Sequence, residues 1–279
     1  MNSDILALNG GGMRGALQIG ALQELATEST DQSLADRFSG GVYGYSIGAL
    51  IGTLIAFEFE ISEFSSLIEV LGNMQDALHP PRLQTLLTFT QTRGADDGSK
   101  IRDAMAAAFS KHGMNLDTLR VGDAAIPLHI IASDLTDLKT VIFGPSVLLW
   151  DALRASFSLP YIFTPHTIGT HLYVDGAVLC LNISKAVPRA QRERTLFLLT
   201  AHTKDFTTNY YLDNIAFARN IKETHDTRDR YPQNTCLLIE DDAKMFSFWK
   251  STDIVEHLLA VGRRGYTEFR TKCRHQELA

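Results

Sequence analysis

Two glycine-rich turns, each set between an apolar strand and an apolar helix, constrain this chain more than any other feature. The first is Asn9-Gly10-Gly11-Gly12-Met13-Arg14-Gly15, which follows the apolar run Ile5-Leu6-Ala7-Leu8. The second is Gly44-Tyr45-Ser46-Ile47-Gly48, which follows a strand ending near Tyr43 and opens the apolar segment Ile47–Phe59. Short continuous apolar runs suit strands buried on both faces. A strand that hands over to a helix, twice in succession, begins a βαβα alternation. The fold class this predicts is α/β, with a mainly parallel central sheet flanked by helices.

The rest of the chain extends the alternation. Residues 14–27 show helical spacing through Leu17, Leu22 and Leu25. Ile61–Leu71 reads as a further helix, and His79-Pro80-Pro81 breaks the pattern. Residues 82–98 read as an irregular insertion or cap over the sheet's carboxyl edge, and Lys100–Lys111 as a helix closed by Gly113. Strands are expected at Leu128–Ala132 and Thr140–Phe143, joined through Ser133–Asp137, and at Leu172–Val174, Leu196–Leu199 and Leu237–Ile239. Helices are expected at 146–156, stopped by Pro160, and at 206–224 and 252–270. With 279 residues, 45% of them apolar, and no linker or repeat, a single domain over 1–279 is predicted.

Charge and cysteines narrow the function classes. The formal charge is −6 and no long basic run occurs, which disfavours a nucleic-acid partner. Cys180, Cys236 and Cys273 lack metal-ligand spacing and suit buried, reduced thiols, so no metal and no cofactor is expected. The N-terminus has no basic n-region, which predicts no signal peptide. Ile47–Phe59 falls short of the roughly 20 residues a membrane span needs. A cytoplasmic protein with at most peripheral membrane contact is the expectation.

Both turns suit acyl-transfer chemistry. In Gly-x-Ser-x-Gly the serine takes a tight strand-to-helix bend, and Gly44 and Gly48 remove the Cβ atoms that would clash there. The Ser46 hydroxyl then projects at the carboxyl end of the sheet, beside the N–H groups and positive dipole end of the next helix. The Ile47 N–H is one natural oxyanion donor. A plain structural turn is the alternative; placement between an apolar strand and an apolar helix favours the nucleophile.

Gly10, Gly12 and Gly15 also fit the dinucleotide fingerprint Gly-x-Gly-x-x-Gly. That reading wants an acidic residue ending the second strand, yet the serine turn stands there, and Asp31 and Asp36 precede the strand. As an oxyanion loop, the run lets the backbone N–H groups of Gly10, Gly11 and Gly12 aim at an oxygen, with Arg14 adding positive potential or bracing the loop. Only this second reading explains Ser46 as well. A base for Ser46 is less legible. His202 follows a strand and is the best histidine on chain order, while His112, His129, His166 and His171 lie in no motif. Asp175 ends an apolar strand just before Gly176, a pattern also found in ordinary turns.

Taken together, these blocks resemble the patatin-like phospholipase family. Gly10-Gly11-Gly12-Met13-Arg14-Gly15 matches its oxyanion loop, Gly44-Tyr45-Ser46-Ile47-Gly48-Ala49 its nucleophile turn, and Val174-Asp175-Gly176 its catalytic aspartate block. Ala132–Phe143 resembles its middle strand pair, and Trp150–Pro160 the segment before the acid, so the likeness spans about 5–185 while 186–279 would complete the sheet and helices. The resemblance implies a three-layer fold and a Ser46–Asp175 dyad without histidine, acting on lipid acyl esters as a phospholipase A-type hydrolase. An acyltransferase using the same acyl-enzyme, or a Ser-His-Asp esterase with His202, are the alternatives. Apolar residues at 83–89 and 157–163 suit a long acyl chain, without separating phospholipid from lysophospholipid, acylglycerol or galactolipid. Two departures stand out: the usual Asp-Gly-Gly is Asp175-Gly176-Ala177, and the stretch after the acid is Asn182-Ile183-Ser184.

Overall fold

The structure is a computed structural model and describes residues 3–28, 32–64, 67, 94–201, 222–240 and 252–277. Its centre is an eight-stranded sheet. Five strands run parallel: β1 (Ile5–Leu8), β2 (Gly41–Gly44), β4 (Leu128–Asp134), β9 (Thr195–Ala201) and β10 (Thr235–Ile239). β5 (Lys139–Ile142) and β8 (His171–Asp175) flank β4 in antiparallel fashion, and β7 (His166–Ile168) pairs β8. The order is β10-β9-β1-β2-β4-β8-β7, with β5 also on β4. β1 therefore lies inside the sheet, between β2 and β9, as its unbroken apolar run requires.

The strand period of two sorts β1 onto two cores. Leu6 and Leu8 join the larger cluster, with α1 (Gly15–Ala26) and α3 (Ile47–Ala56), while Ile5 and Ala7 join a smaller one with Tyr43, Tyr45 and Phe197. A short α2 (Leu34–Arg37) precedes β2; its Ser33 and Asp36 form a capping box, so Asp36 is engaged there and not at a ribose. Between β3 (Gly94–Asp96) and β4 lies α4 (Ser99–Lys111), and α5 (Leu149–Ser156) follows β5. After β8 come α6 (Ile183–Ala186), a helical stretch at 222–230 (α7) and the long α8 (Thr252–Glu277). α8 crosses α1 with the backbones almost touching: a Cβ on Gly20 would lie 2.1 Å from the Leu259 carbonyl oxygen, and one on Gly262 2.1 Å from that of Leu17.

The predicted strands and helices that fall on described residues are present, most within a residue or two of the expected ends. Two corrections arise. Ile61–Phe64 is a 3-10 turn, and the rest of the expected 61–71 helix lies outside the described residues apart from Leu67. Of the expected irregular insertion at 82–98, residues 82–93, with the apolar stretch 83–89, lie outside the described residues, and in the remainder β3 pairs in parallel with β6 (Tyr161–Phe163) as a separate two-stranded sheet. Strands of three residues are too short to carry a hydrophobic period, which is why sequence missed β3, β6 and β7. The expected 206–224 helix lies outside the described residues except for 222–224, where α7 begins. Among the described residues, no helix is long and apolar enough to cross a membrane.

Candidate active site

Because the five parallel strands share a direction, their carboxyl ends form one edge, where ligand sites of open α/β sheets arise. Both glycine turns leave from it. Ser46 sits between β2 and α3 with φ 56° and ψ −133°, a backbone region L-residues rarely adopt. Its N–H donates to the Ser156 Oγ at 3.0 Å and to the Ser156 carbonyl at 3.2 Å. α3 starts at Ile47, and Gly48 lets that helix press on β1: a Cβ there would lie 2.4 Å from the Leu8 carbonyl oxygen.

The first glycine loop packs directly on this turn. A Cβ on Gly10 would lie 2.9 Å from the Ser46 Cβ and 2.9 Å from the Tyr45 ring. Gly12 has φ +55° and opens a 3-10 turn, Gly12–Arg14, that runs into α1 at Gly15. Gly15 in turn packs on the Ile47 side chain. The N–H groups of Gly10, Gly11, Gly12 and Ile47 donate to no acceptor among the described residues. The Arg14 N–H closes the turn on the Gly11 carbonyl at 3.1 Å, and burial lowers the Arg14 guanidinium to about 10, so it stays cationic at neutral pH.

A buried polar network fastens the loop from behind. The Asn9 side chain donates to the Thr200 carbonyl at 2.9 Å and accepts the Thr200 N–H at 2.8 Å. Gln18 of α1 donates to the Asn9 carbonyl at 3.1 Å and to that of Leu198 at 3.0 Å. The Thr200 hydroxyl reaches the Gly10 carbonyl at 3.1 Å.

Asp175 ends β8 in register with Ala132 of β4 and is 1% exposed. Its Oδ1 accepts the Ala177 N–H at 2.8 Å. Burial pushes its pKa up to about 6, and hydrogen bonding from the Ser46 hydroxyl and the Ala177 N–H opposes that rise. The structure thus brings the two residues singled out by sequence together. Oδ2 is buried with no hydrogen-bond partner among the described residues, and the Ser46 contact is looser than the Ala177 bond. Looser contacts of this kind are common at unliganded sites.

The two departures noted in the sequence are accommodated. Ala177 is not among the residues with positive φ, so a second glycine is not required after Gly176. Asn182 caps α6 by accepting the Ser184 N–H at 2.9 Å and donates to the Glu223 carbonyl at 3.2 Å.

Elsewhere, four of the histidines noted in the sequence are engaged apart from Ser46. His166 meets Asp151 at 2.9 Å, His171 meets Asp134 at 2.8 Å, His112 meets Glu63 at 2.6 Å, and His129 stacks on Tyr43. His202 lies outside the described residues. Asp134, Asp137 and His171 bring three ligand-capable atoms within 4.8 Å of one another. Asp134 there is already occupied by the Thr136 and Asp137 N–H groups and the His171 ring. The three cysteines are buried free thiols, as expected from sequence.

Sequence reasoning missed Gln18, Ser133, Ser156 and Thr200. Ser133 donates its hydroxyl to the Asp175 carbonyl at 2.9 Å and accepts the Leu179 N–H at 3.0 Å. Ser133 and Ser156 had a signal, through the blocks that resemble the middle strand pair and the segment before the acid.

Comparison with known proteins supplies the family. The description of patatin-like phospholipases matches residues 6–184. The chain belongs to the patatin-like phospholipase family. An uncharacterized protein of Acanthamoeba polyphaga mimivirus is 25% identical over 175 residues, 61% of this chain and 57% of that protein. An uncharacterized NTE family protein of Mycobacterium tuberculosis is 30% identical over 183 residues, 62% of this chain and 42% of that protein. The chain thus spans about half the length of these curated relatives. Two crystal structures share the fold. VipD from Legionella pneumophila superposes with a TM-score of 0.57 at 12% identity, over 96% of this chain and 67% of that one. ExoU, solved with SpcU from the type III secretion system of Pseudomonas aeruginosa, gives 0.54 at 15% identity, over 96% of this chain and 52% of that one.

Proposed function

We propose that this patatin-like chain is a lipid acyl hydrolase of the phospholipase A type, cleaving fatty-acyl esters through a Ser46–Asp175 dyad. One observation carries the reading: a serine hydroxyl on a strained strand-to-helix turn meets a buried carboxylate whose pKa is raised to about 6. A carboxylate at its ordinary value is a weak base; raising it toward neutrality makes it a serviceable one while leaving it ionised at pH 7.

Asp175 takes the Ser46 proton as Oγ attacks the ester carbonyl carbon. The N–H groups of Gly10, Gly11, Gly12 and Ile47, which donate to no acceptor among the described residues, stabilise the oxyanion. Collapse of the tetrahedral intermediate breaks the C–O bond, and the Asp175 proton passes to the departing alkoxide. Asp175 then deprotonates a water that attacks the acyl-enzyme, and returns that proton to Ser46.

The lipid character of the substrate rests on family membership and on apolar side chains beside the site. Leu159, Tyr161, Val178 and Leu179 are all at least 36% exposed, and Ser158, next to Leu159, accepts the Asp175 N–H. Peripheral contact with a lipid aggregate follows from this reading.

A fluorophosphonate probe tests the proposal. Wild type is expected to label at Ser46, and Ser46→Ala to be silent. Equal labelling of both proteins would sink the assignment.

A further inference from the structure

Neither Ser46 nor Asp175 holds its own position. Ser46 occupies a backbone region that costs a non-glycine residue about 1–3 kcal/mol, and nothing in serine's preferences keeps it there. Its N–H is held from outside, by Ser156. That side chain is 0% exposed, and its hydroxyl bridges two elements: it accepts the Ser46 N–H at 3.0 Å and donates to the Ile131 carbonyl of β4 at 2.7 Å. The Ser156 carbonyl accepts the same N–H at 3.2 Å.

Two residues on, the same chain segment holds the other partner. The Ser158 carbonyl accepts the Asp175 N–H at 2.9 Å. Ser158 is itself pinned, its hydroxyl donating to the Arg154 carbonyl at 2.6 Å and accepting from the Arg154 guanidinium. Arg154 is 4% exposed; it also donates to the Asp97 carbonyl at 2.8 Å and the Thr164 carbonyl at 2.7 Å, and lies over the rings of Phe157 and Phe163. One short turn at the end of α5 therefore holds the backbone amides of both residues.

Resting on the dyad reading above, we infer that Ser156 is a positioning residue, which with the adjoining turn sets the separation between the Ser46 hydroxyl and the Asp175 carboxylate. Ser156 touches no reacting atom. It fixes where one reacting group stands relative to the other, and misplacement by about 1 Å can cost a hundredfold in rate.

The test compares wild type, Ser156→Ala, Ser156→Thr, Asp175→Asn and the Ser156→Ala/Asp175→Asn double variant. Each is assayed for hydrolysis of a soluble p-nitrophenyl ester across pH and for the rate of fluorophosphonate labelling, with melting curves to establish folding. Ser156→Ala is expected to lower kcat roughly 10- to 100-fold with little change in KM. The acid limb of its pH profile should move upward, because a displaced Ser46 hydroxyl no longer stabilises the Asp175 anion. Ser156→Thr, which keeps the hydroxyl, should recover much of the labelling rate and stands in if the alanine variant fails to fold. In the Asp175→Asn background, Ser156→Ala should slow labelling little further, since there is no base left to align. Wild-type kcat and an unmoved acid limb in Ser156→Ala would overturn the inference, as would a full multiplicative loss in the double variant. If Asp175→Asn is itself fully active, the dyad reading fails instead, so the two failures are distinguishable.

Discussion

Gly10 and Ser46 are packed so closely that a methyl group on Gly10 would sit 2.9 Å from the Ser46 Cβ. The glycine loop and the serine turn are thus one packed unit rather than two motifs that happen to face each other. Gly10→Ala should push that unit apart. Expected is a fall in kcat of at least about tenfold with KM less affected, because in the proposed mechanism the loop serves the transition state. Steady-state kinetics on a soluble ester checks this. Gly12→Ala offers a contrast: nothing lies within 4 Å of its Cβ position, yet φ is +55°. Its cost should be about 1 kcal/mol of backbone strain, visible as a lowered Tm.

Much of this unit was legible in the sequence because its constraints are local. A glycine run between an apolar strand and an apolar helix needs no distant partner to be recognised, and Ser46, Gly44 and Gly48 announce their turn themselves. Asp175 was ambiguous for the opposite reason: its role depends on β8 pairing antiparallel to β4, a contact across 43 positions from Ala132. The supports were hidden for the same cause. Gln18, Ser156 and Thr200 are polar residues inside apolar segments, and their partners lie 9, 110 and 190 positions away. Long-range hydrogen bonds leave no period and no spacing to read.

Asp175 should govern the acid side of the pH profile. With its pKa near 6, the fraction of active base, and with it kcat/KM, should rise tenfold per pH unit below about pH 6 and level off above. Asp175→Asn should lower activity by about 10²- to 10⁴-fold at pH 7.5 and abolish this limb.

The same shift has a stability consequence of definite sign. The folded-state pKa, about 6, lies above the ordinary 3.8, so the folded protein binds this proton more tightly than the unfolded chain. Wild type therefore loses stability through Asp175 as pH rises through that window, by on the order of 2–3 kcal/mol. Asp175→Asn escapes this loss. Its Tm relative to wild type should be highest near pH 8 and should fall as pH is lowered toward 4. Thermal melts of both proteins across pH check it, and a constant gap would show that Asp175 does not ionise within the core.

Asn9 ties the glycine loop to β9 and α1 with one side chain. Asn9→Ala would strand the buried Thr200 N–H and carbonyl, and would remove one of the acceptors of the Gln18 amide. Leaving buried polar groups unpaired costs about 1–3 kcal/mol each. The variant should melt well below wild type, and, where folded, label more slowly with fluorophosphonate. Asn9→Asp, which keeps the acceptor but not the donor, should fall between.

Exposed apolar side chains give the proposed lipid contact its sharpest test. Among the described residues, every exposed large apolar side chain falls between Leu135 and Leu179. Leu138 and Tyr161 stand out at 75% exposure, and both have positive φ, at 55° and 71°. Leu138 tips the β4–β5 hairpin beyond Asp134, and Tyr161 follows the turn whose Ser158 holds Asp175. Exposure and backbone strain at the same two residues are both unfavourable in water, and an apolar surface laid over them would relieve the first. Asparagine tolerates positive φ, so Leu138→Asn and Tyr161→Asn remove apolar area without disturbing the turns. Full burial of one such side chain contributes about 2 kcal/mol. Each variant should therefore cut hydrolysis of zwitterionic phospholipid vesicles by roughly tenfold, with less bound in sedimentation. Hydrolysis of a short, soluble ester should stay within about twofold, since neither side chain belongs to the dyad or its supports. Equal loss on both substrates would place these residues in the structure of the site rather than at a lipid surface.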